Sequence, residues 1–274
     1  MRPGRIRVGR SMLVVAVVLL GLLAAGCVSG SSGKTPAAPT TTTAARSASA
    51  GAPSLLAPVH GRYSPSIVPS NFVSMIDNPY FPLIPGTGFH YKGVAENGKT
   101  PQRDDEYVTH QTRQIMGVTA TVVRDVVSQG GHAVERTFDW YAQDKQGNVW
   151  YMGEDTRELH QGRFVRASDS WKGGVNGAEP GIIMPGHPQP GQEYRQEYYP
   201  HHALDQARVL GQGGAVTVPY AHYGKTLLTD ESSPALDPGI HEHKYYVAGI
   251  GDVKEETVAG DREEIELVRI THSG

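Results

Sequence analysis

Short runs in which apolar and polar residues alternate fill the chain from Gly88 to Ile270, and each run ends in turn chemistry. GFHYKGVA meets Asn97-Gly98, a pair suited to the positive-φ positions of a type I′ turn. EYVTHQTRQI stops at Gly117, TATVVRDVVS stops at Gly130-Gly131, and HAVERTFDWYAQ follows. Alternation of period two with such punctuation predicts three successive hairpins, an antiparallel meander. AVTVPY, KTLLTDE, HEHKYYVA, GDVKEETV and EEIELVRI resume the pattern nearer the C-terminus. No stretch sustains helical periodicity; HHALDQARVL, with Leu204, Ala207 and Leu210 near one face, is the best candidate, either a helix or a loop entering a strand. The expected fold class is all-β: an antiparallel meander forming a strongly curved sheet or half-closed barrel, with at most one short helix.

Ahead of the first strand, SNFVSMIDNPYFPLIPGTGF carries Pro79, Pro82 and Pro85, which restrict the backbone and remove donors. It reads as an ordered extended loop. No second low-complexity linker interrupts the chain after Leu55, so residues 55–274 are expected to form one β-rich domain.

The N-terminus has a different pattern. Arg2, Arg5, Arg7 and Arg10 precede an apolar run from Met12 to Leu23, followed by small residues, the order of an export signal. The run is shorter than the roughly 20 residues of a membrane-spanning helix. The single cysteine, Cys27, follows Ala24-Ala25-Gly26 and so resembles the lipobox of a bacterial lipoprotein, with Ala24 where leucine is more usual. This resemblance implies a signal peptide over 1–26 and a mature protein acylated at Cys27, held to the outer face of the cell membrane by its lipid. Residues 27–54, rich in Ser, Thr, Ala and Pro, read as a flexible tether. The whole chain carries 25 basic and 28 acidic residues; without the four leader arginines the balance is 21 to 28, or −7. An acidic surface of this kind argues against nucleic acid as a partner.

Candidate chemistry centres on DWYAQDKQGNVWYMGED, residues 139–155, which crowds acids among aromatics. Asp144-Lys145-Gln146-Gly147 suits a type I turn with Gly147 left-handed, placing Ala142 near Trp150 and Trp140 near Met152. Phe138, Trp140, Ala142, Trp150 and Met152 then form the buried face, and Asp139, Tyr141, Gln143 and Tyr151 the outer one. Glu154 extends the Trp face by parity. There it is either a desolvated carboxyl with a raised pKa or, if the strand has ended, a solvated one.

Two further clusters are weighed against plain structural roles. HEHKYY puts His241 and His243 on one strand face, a spacing that can grip a metal ion if a third ligand folds near; otherwise they are exposed or hydrogen-bonded strand histidines. EYRQEYYP places Glu193, Arg195, Glu197 and Tyr199 on one face, either as a surface salt-bridge ladder or as a polar grip inside a barrel. No GxSxG and no phosphate loop between strand and helix is present, so nucleophile and nucleotide chemistry find little support. No cofactor is expected.

DNPYFPL, DWYAQDKQGNVWYMGED, GIIMP, YRQEYYP and EHKYY together resemble a group of uncharacterised exported bacterial proteins, several of them lipoproteins, over about Phe72 to Val268. The resemblance implies an exported single domain and carries over no activity. The function expected is a non-enzymatic, lipid-anchored envelope protein binding a small polar or amphipathic ligand in or on its curved sheet. Trp140, Trp150, Met152 and Trp171 would give apolar contact, with Glu154, Arg195 and Glu197 fixing polar groups. The alternatives are an envelope hydrolase using a carboxylate pair or a His-bound metal, and a structural lipoprotein that binds another envelope protein.

Overall fold

A computed structural model describes residues 57–273. Cys27, the leader and the tether lie outside the described residues. The expected meander is β1 (Thr87–Val94), β2 (Pro101–Ile115), β3 (Val118–Gln129), β4 (His132–Gln143) and β5 (Val149–Glu154). An accessory hairpin, β6 (Arg157–His160) and β7 (Arg163–Arg166), pairs with β4 through β6. Next come β8 (Glu179–Met184), β9 (Glu193–Arg195), β10 (Glu197–Tyr198) and β11 (Gln206–Gly213). A separate two-stranded pair, β12 (Val216–Thr217) and β13 (His222–Tyr223), leads to β14 (Thr226–Ser232), β15 (His241–Val247), β16 (Gly251–Ala259) and β17 (Glu264–His272).

The main sheet runs β10-β8-β5-β4-β3-β2-β1-β17-β16-β15-β14-β11-β9. Its two terminal strands are consecutive in sequence. Glu193–Arg195 pairs with β11 while Glu197–Tyr198 pairs with β8, and Gln196 is the break between them. One short segment therefore ties both ends of the sheet and nearly closes it as a barrel, which protects edges that would otherwise template aggregation.

The same break corrects the expected charged row. Arg195 and Glu197 belong to different edges, so they do not form one face. Arg195 donates from Nε to the Pro58 carbonyl at 3.0 Å and from its Nη2 to the Val59 carbonyl at 2.6 Å, while Glu197 is fully buried.

The described residues contain a single helical turn, Pro69–Asn71. HHALDQARVL is a turn followed by a strand. His201 has φ +68°, the Tyr199 and Ala203 amides and carbonyls bond across the turn, and β11 starts at Gln206. Of the two alternatives for this stretch, the loop entering a strand is the one that forms. Ala207 and Val209 are buried while Leu210 is 42% exposed, a period of two.

The Pro-rich lead-in is ordered, as expected, because its backbone and side chains are tied to the barrel. Val73 donates its amide to the Gln143 carbonyl at 2.9 Å, and the Asn78 side chain donates to the Gly147 and Pro185 carbonyls. Phe72 meets Trp150 edge-on at 6.3 Å.

Candidate functional site

The hairpin turn forms as the residue types dictate. Gly147 takes φ +83°, and the Asp144 and Asn148 backbones bond at 2.9 Å. The Asp144 carboxylate accepts from the Gln146 amide, the Asn148 amide, the Asn148 side chain and the Trp150 indole, all between 2.8 and 3.0 Å. Ala142 pairs with Trp150, as expected.

Beyond that pair the register slips. Trp140 lies opposite Gly153, not Met152, and Tyr141 lies opposite Tyr151, so β5 carries a bulge. Gly153 makes it possible. Its φ is +132°, and a Cβ there would lie 2.6 Å from the Trp171 carbonyl oxygen. Against the bulge runs the Trp171–Gly173 segment: Glu154 donates its amide to the Trp171 carbonyl at 2.8 Å, and Gly173 donates to the Met152 carbonyl at 2.9 Å.

Two corrections follow. The bulge moves Glu154 off the Trp150 face and onto that of Tyr151. The Tyr151 hydroxyl lies 2.7 Å from both Asp139 Oδ1 and Glu154 Oε2, and both acids are buried. The supposed outer face, Asp139, Tyr141, Gln143 and Tyr151, is thus the barrel interior. The Trp face is also buried, beneath the lead-in and loops, except for Phe138, which is exposed.

The interior is markedly acidic. Tyr151 meets Trp171 edge-on at 5.4 Å, and the Trp171 indole donates to Glu197 Oε2 at 2.8 Å. Among the described residues Glu197 Oε1 has no hydrogen-bond partner. Burial first, then Asp205 and Glu154, push the Glu197 pKa well above the ordinary carboxylate range. Burial pushes Asp205 up to about 8. Across the barrel, Glu231 accepts from Gln196, Thr229 and Tyr246. Lys244 Nζ lies 3.5 Å from Glu231 and 3.3 Å from Glu255; burial disfavours its charge, but these acids outweigh that and raise its pKa. A cavity of about 20 Å³ between Tyr151, Glu197, Asp205 and Lys244 has room for one water.

A larger site lies on the outer side of the Gly153 bulge. It is a groove of about 200 Å³ lined by Arg113, Trp140, Asp155, Arg166, Ser170, Trp171, Lys172, Val175, Asn176 and Tyr199. β2 supplies Arg113, whose guanidinium stacks over the Trp140 ring at 4.1 Å. β7 supplies Arg166, which donates to Asp155 at 2.6 Å and to the Ser170 carbonyl at 3.2 Å. The opposite wall has Tyr199, stacked on His202 at 4.4 Å.

Of the residues singled out from sequence, Trp140 and Trp171 meet in this groove. Trp150 and Met152 do not line it; they are core, Trp150 fixed by Asp144 and Phe72. Glu154 and Glu197 lie in the interior behind Trp171, and Arg195 holds the lead-in. His241 and His243 share the outward face of β15, since Lys244 and Tyr246 take the buried positions. His241 Nδ1 is 3.0 Å from Asp230. The three potential ligand groups that do cluster among the described residues are Asp104, Glu106 and Asp125, on β2 and β3. Sequence reasoning missed Arg113, Arg166 and Lys172, whose strands and loop gave no local signal. It named the interior acids Glu154 and Glu197 but missed the buried acids of β2, although Asp104, Glu106 and Val108 at spacing two carried a signal.

No family model matches the chain, and no curated protein matches it. Two solved structures do. One, from Bacteroides fragilis NCTC 9343, is described as an exported protein with a YmcC-like fold, at 12% identity and TM-score 0.36. The other, from Parabacteroides distasonis ATCC 8503, is described as a lipoprotein, at 15% identity and TM-score 0.36. Each likeness covers 70% of this chain and 98% of the other.

Proposed function

We propose that this chain is a non-enzymatic envelope protein, anchored through a lipid on Cys27, that binds a small polar or amphipathic ligand in the Trp140–Trp171 groove. The observation that carries the reading is the groove itself. Two tryptophans expected to contact ligand form part of one concavity, together with polar side chains from β2, β7 and the 170–176 loop. Aromatic walls with a few convergent polar groups are the usual composition of a small-molecule site. The hydrolase alternative would use a carboxylate pair or a His-bound metal. His243 lies on the outward face of β15, and Glu154 and Glu197 lie in an interior with room for one water.

Native mass spectrometry of the protein purified from its own host tests the reading. A stoichiometric small molecule, lost in Trp171→Ala, is expected. A ligand retained in that variant would place binding elsewhere, and an empty protein would favour the partner-binding alternative. Cys27→Ser is expected to abolish acylation, seen as loss of the lipid mass and release from the membrane fraction.

A further inference from the structure

We infer that the groove takes a phosphate-bearing ligand, gripped by Arg113 and Lys172; the inference rests on the groove being the ligand site. Three cations line it against one acid, Asp155. Arg166 is engaged by Asp155 at 2.6 Å, and Arg157 reaches the same carboxylate at 4.0 Å. That leaves two cations. Arg113 stacks on Trp140 and makes no ion pair among the described residues, and Lys172 likewise makes none there. The chain as a whole has a formal net charge of −3, and its barrel interior is rich in acids. Two cations lining one groove without acid partners in such a protein form a local positive field that attracts an anion.

The geometry favours phosphate over a single carboxylate. A phosphate monoester carries close to two negative charges near neutrality and three acceptor oxygens, which answer two uncommitted cations, while a headgroup diester brings one charge and two free oxygens to the same pair. The ring beneath the Arg113 guanidinium holds its planar fork in place before a ligand arrives, so less side-chain freedom is lost on binding. Asn176 and Tyr199 have no side-chain hydrogen bond among the described residues and are placed to meet the neutral part of the ligand. At about 200 Å³ the groove falls below the roughly 300–1,000 Å³ of drug-sized pockets, which suits a phosphoester of headgroup size and excludes an acyl chain. The shared chemistry is a small polar alcohol esterified to phosphate, whether free or as a lipid headgroup.

Equilibrium dialysis of the whole protein, purified from its host in mild detergent and stripped of small molecules, tests this. Glycerol 3-phosphate is the soluble probe, glycerol the neutral control, and dihexanoyl phosphatidylglycerol below its micelle concentration the headgroup probe. Saturable binding of a phosphate probe is expected, with glycerol weaker by at least roughly a hundredfold and with R113Q/K172Q weaker by about tenfold per cation removed. Arg113 is exposed and Lys172 half-buried, and the near-ultraviolet spectrum of the variant reports whether the fold is kept. Tighter binding of the soluble ester points to a free metabolite, and tighter binding of the lipid to a headgroup; either supports the inference. Equal binding of glycerol, no binding of either phosphate probe, or full binding by a folded R113Q/K172Q overturns it. A neutral ligand that co-purifies and is lost in Trp171→Ala would overturn the phosphate inference while leaving the groove reading intact. Absence of any ligand or probe binding would remove both.

Discussion

The acidic interior makes a quantitative prediction about pH. Asp205 sits on the cavity beside Glu197, its Oδ1 sealed from solvent, and burial raises its pKa from an ordinary 3.8 to about 8. The Ser233 hydroxyl lowers it, Glu242 and Glu231 raise it, and Lys244 lowers it. Between those two pKa values the folded protein holds a proton that the unfolded chain releases. Stability therefore carries the full contribution of this group below about pH 4 and loses it progressively as pH rises toward 8. Within the window the slope for one proton is about 1.4 kcal/mol per pH unit, or about 2.7 kcal/mol between pH 5 and pH 7. Asp205→Asn keeps the shape and removes the proton. Urea unfolding followed by tryptophan fluorescence should show the variant gaining roughly 2–3 kcal/mol on the wild type between pH 5 and pH 7, whatever its fixed offset. Parallel stability curves for the two proteins would refute the assignment of a protonated Asp205 to the folded interior.

Asp144→Ala removes the acceptor of four hydrogen bonds in a buried turn and should cost about 3–5 kcal/mol, read from the urea midpoint. Gly153→Ala should cost about 2–4 kcal/mol, because the new Cβ meets the Trp171 carbonyl at 2.6 Å in a backbone conformation unfavourable to side chains; loss of ligand binding in the same variant would tie the bulge to the groove. Lys244→Met leaves Glu231 and Glu255 facing each other without their shared cation. It should lower stability by about 3–5 kcal/mol at pH 7, read from the urea midpoint.

Much of the fold was legible because a strand announces itself by a local period of two and a hairpin by its turn residues. The meander, the Gly147 turn and the Ala142–Trp150 pair all followed from neighbours within a few positions. The failures begin where local information ends. Glycine at 153 could signal a bulge, but the bulge depends on the backbone of 171–173 arriving beside it, so parity placed Glu154 on the wrong face. EYRQEYYP alternates cleanly on paper, yet Gln196 is the point at which the chain leaves one sheet edge for the other, and only the closed topology reveals that. The outer face of the 139–155 hairpin fails for a related reason: the Trp face is buried as expected, but the acids expected in water also lie inside, where burial raises the pKa of some and Lys244 answers others. Both faces of the hairpin can then be buried, one by the barrel and one by the lead-in. The groove is a consequence of the same departure. The bulge that turns Glu154 inward lets Trp171 pair against β5, and Trp171 donates its indole to Glu197 on the interior side while lining the groove on the other. A buried carboxyl thus fixes the orientation of the groove's aromatic wall, which links the acidic interior to the geometry of the groove through a single hydrogen bond.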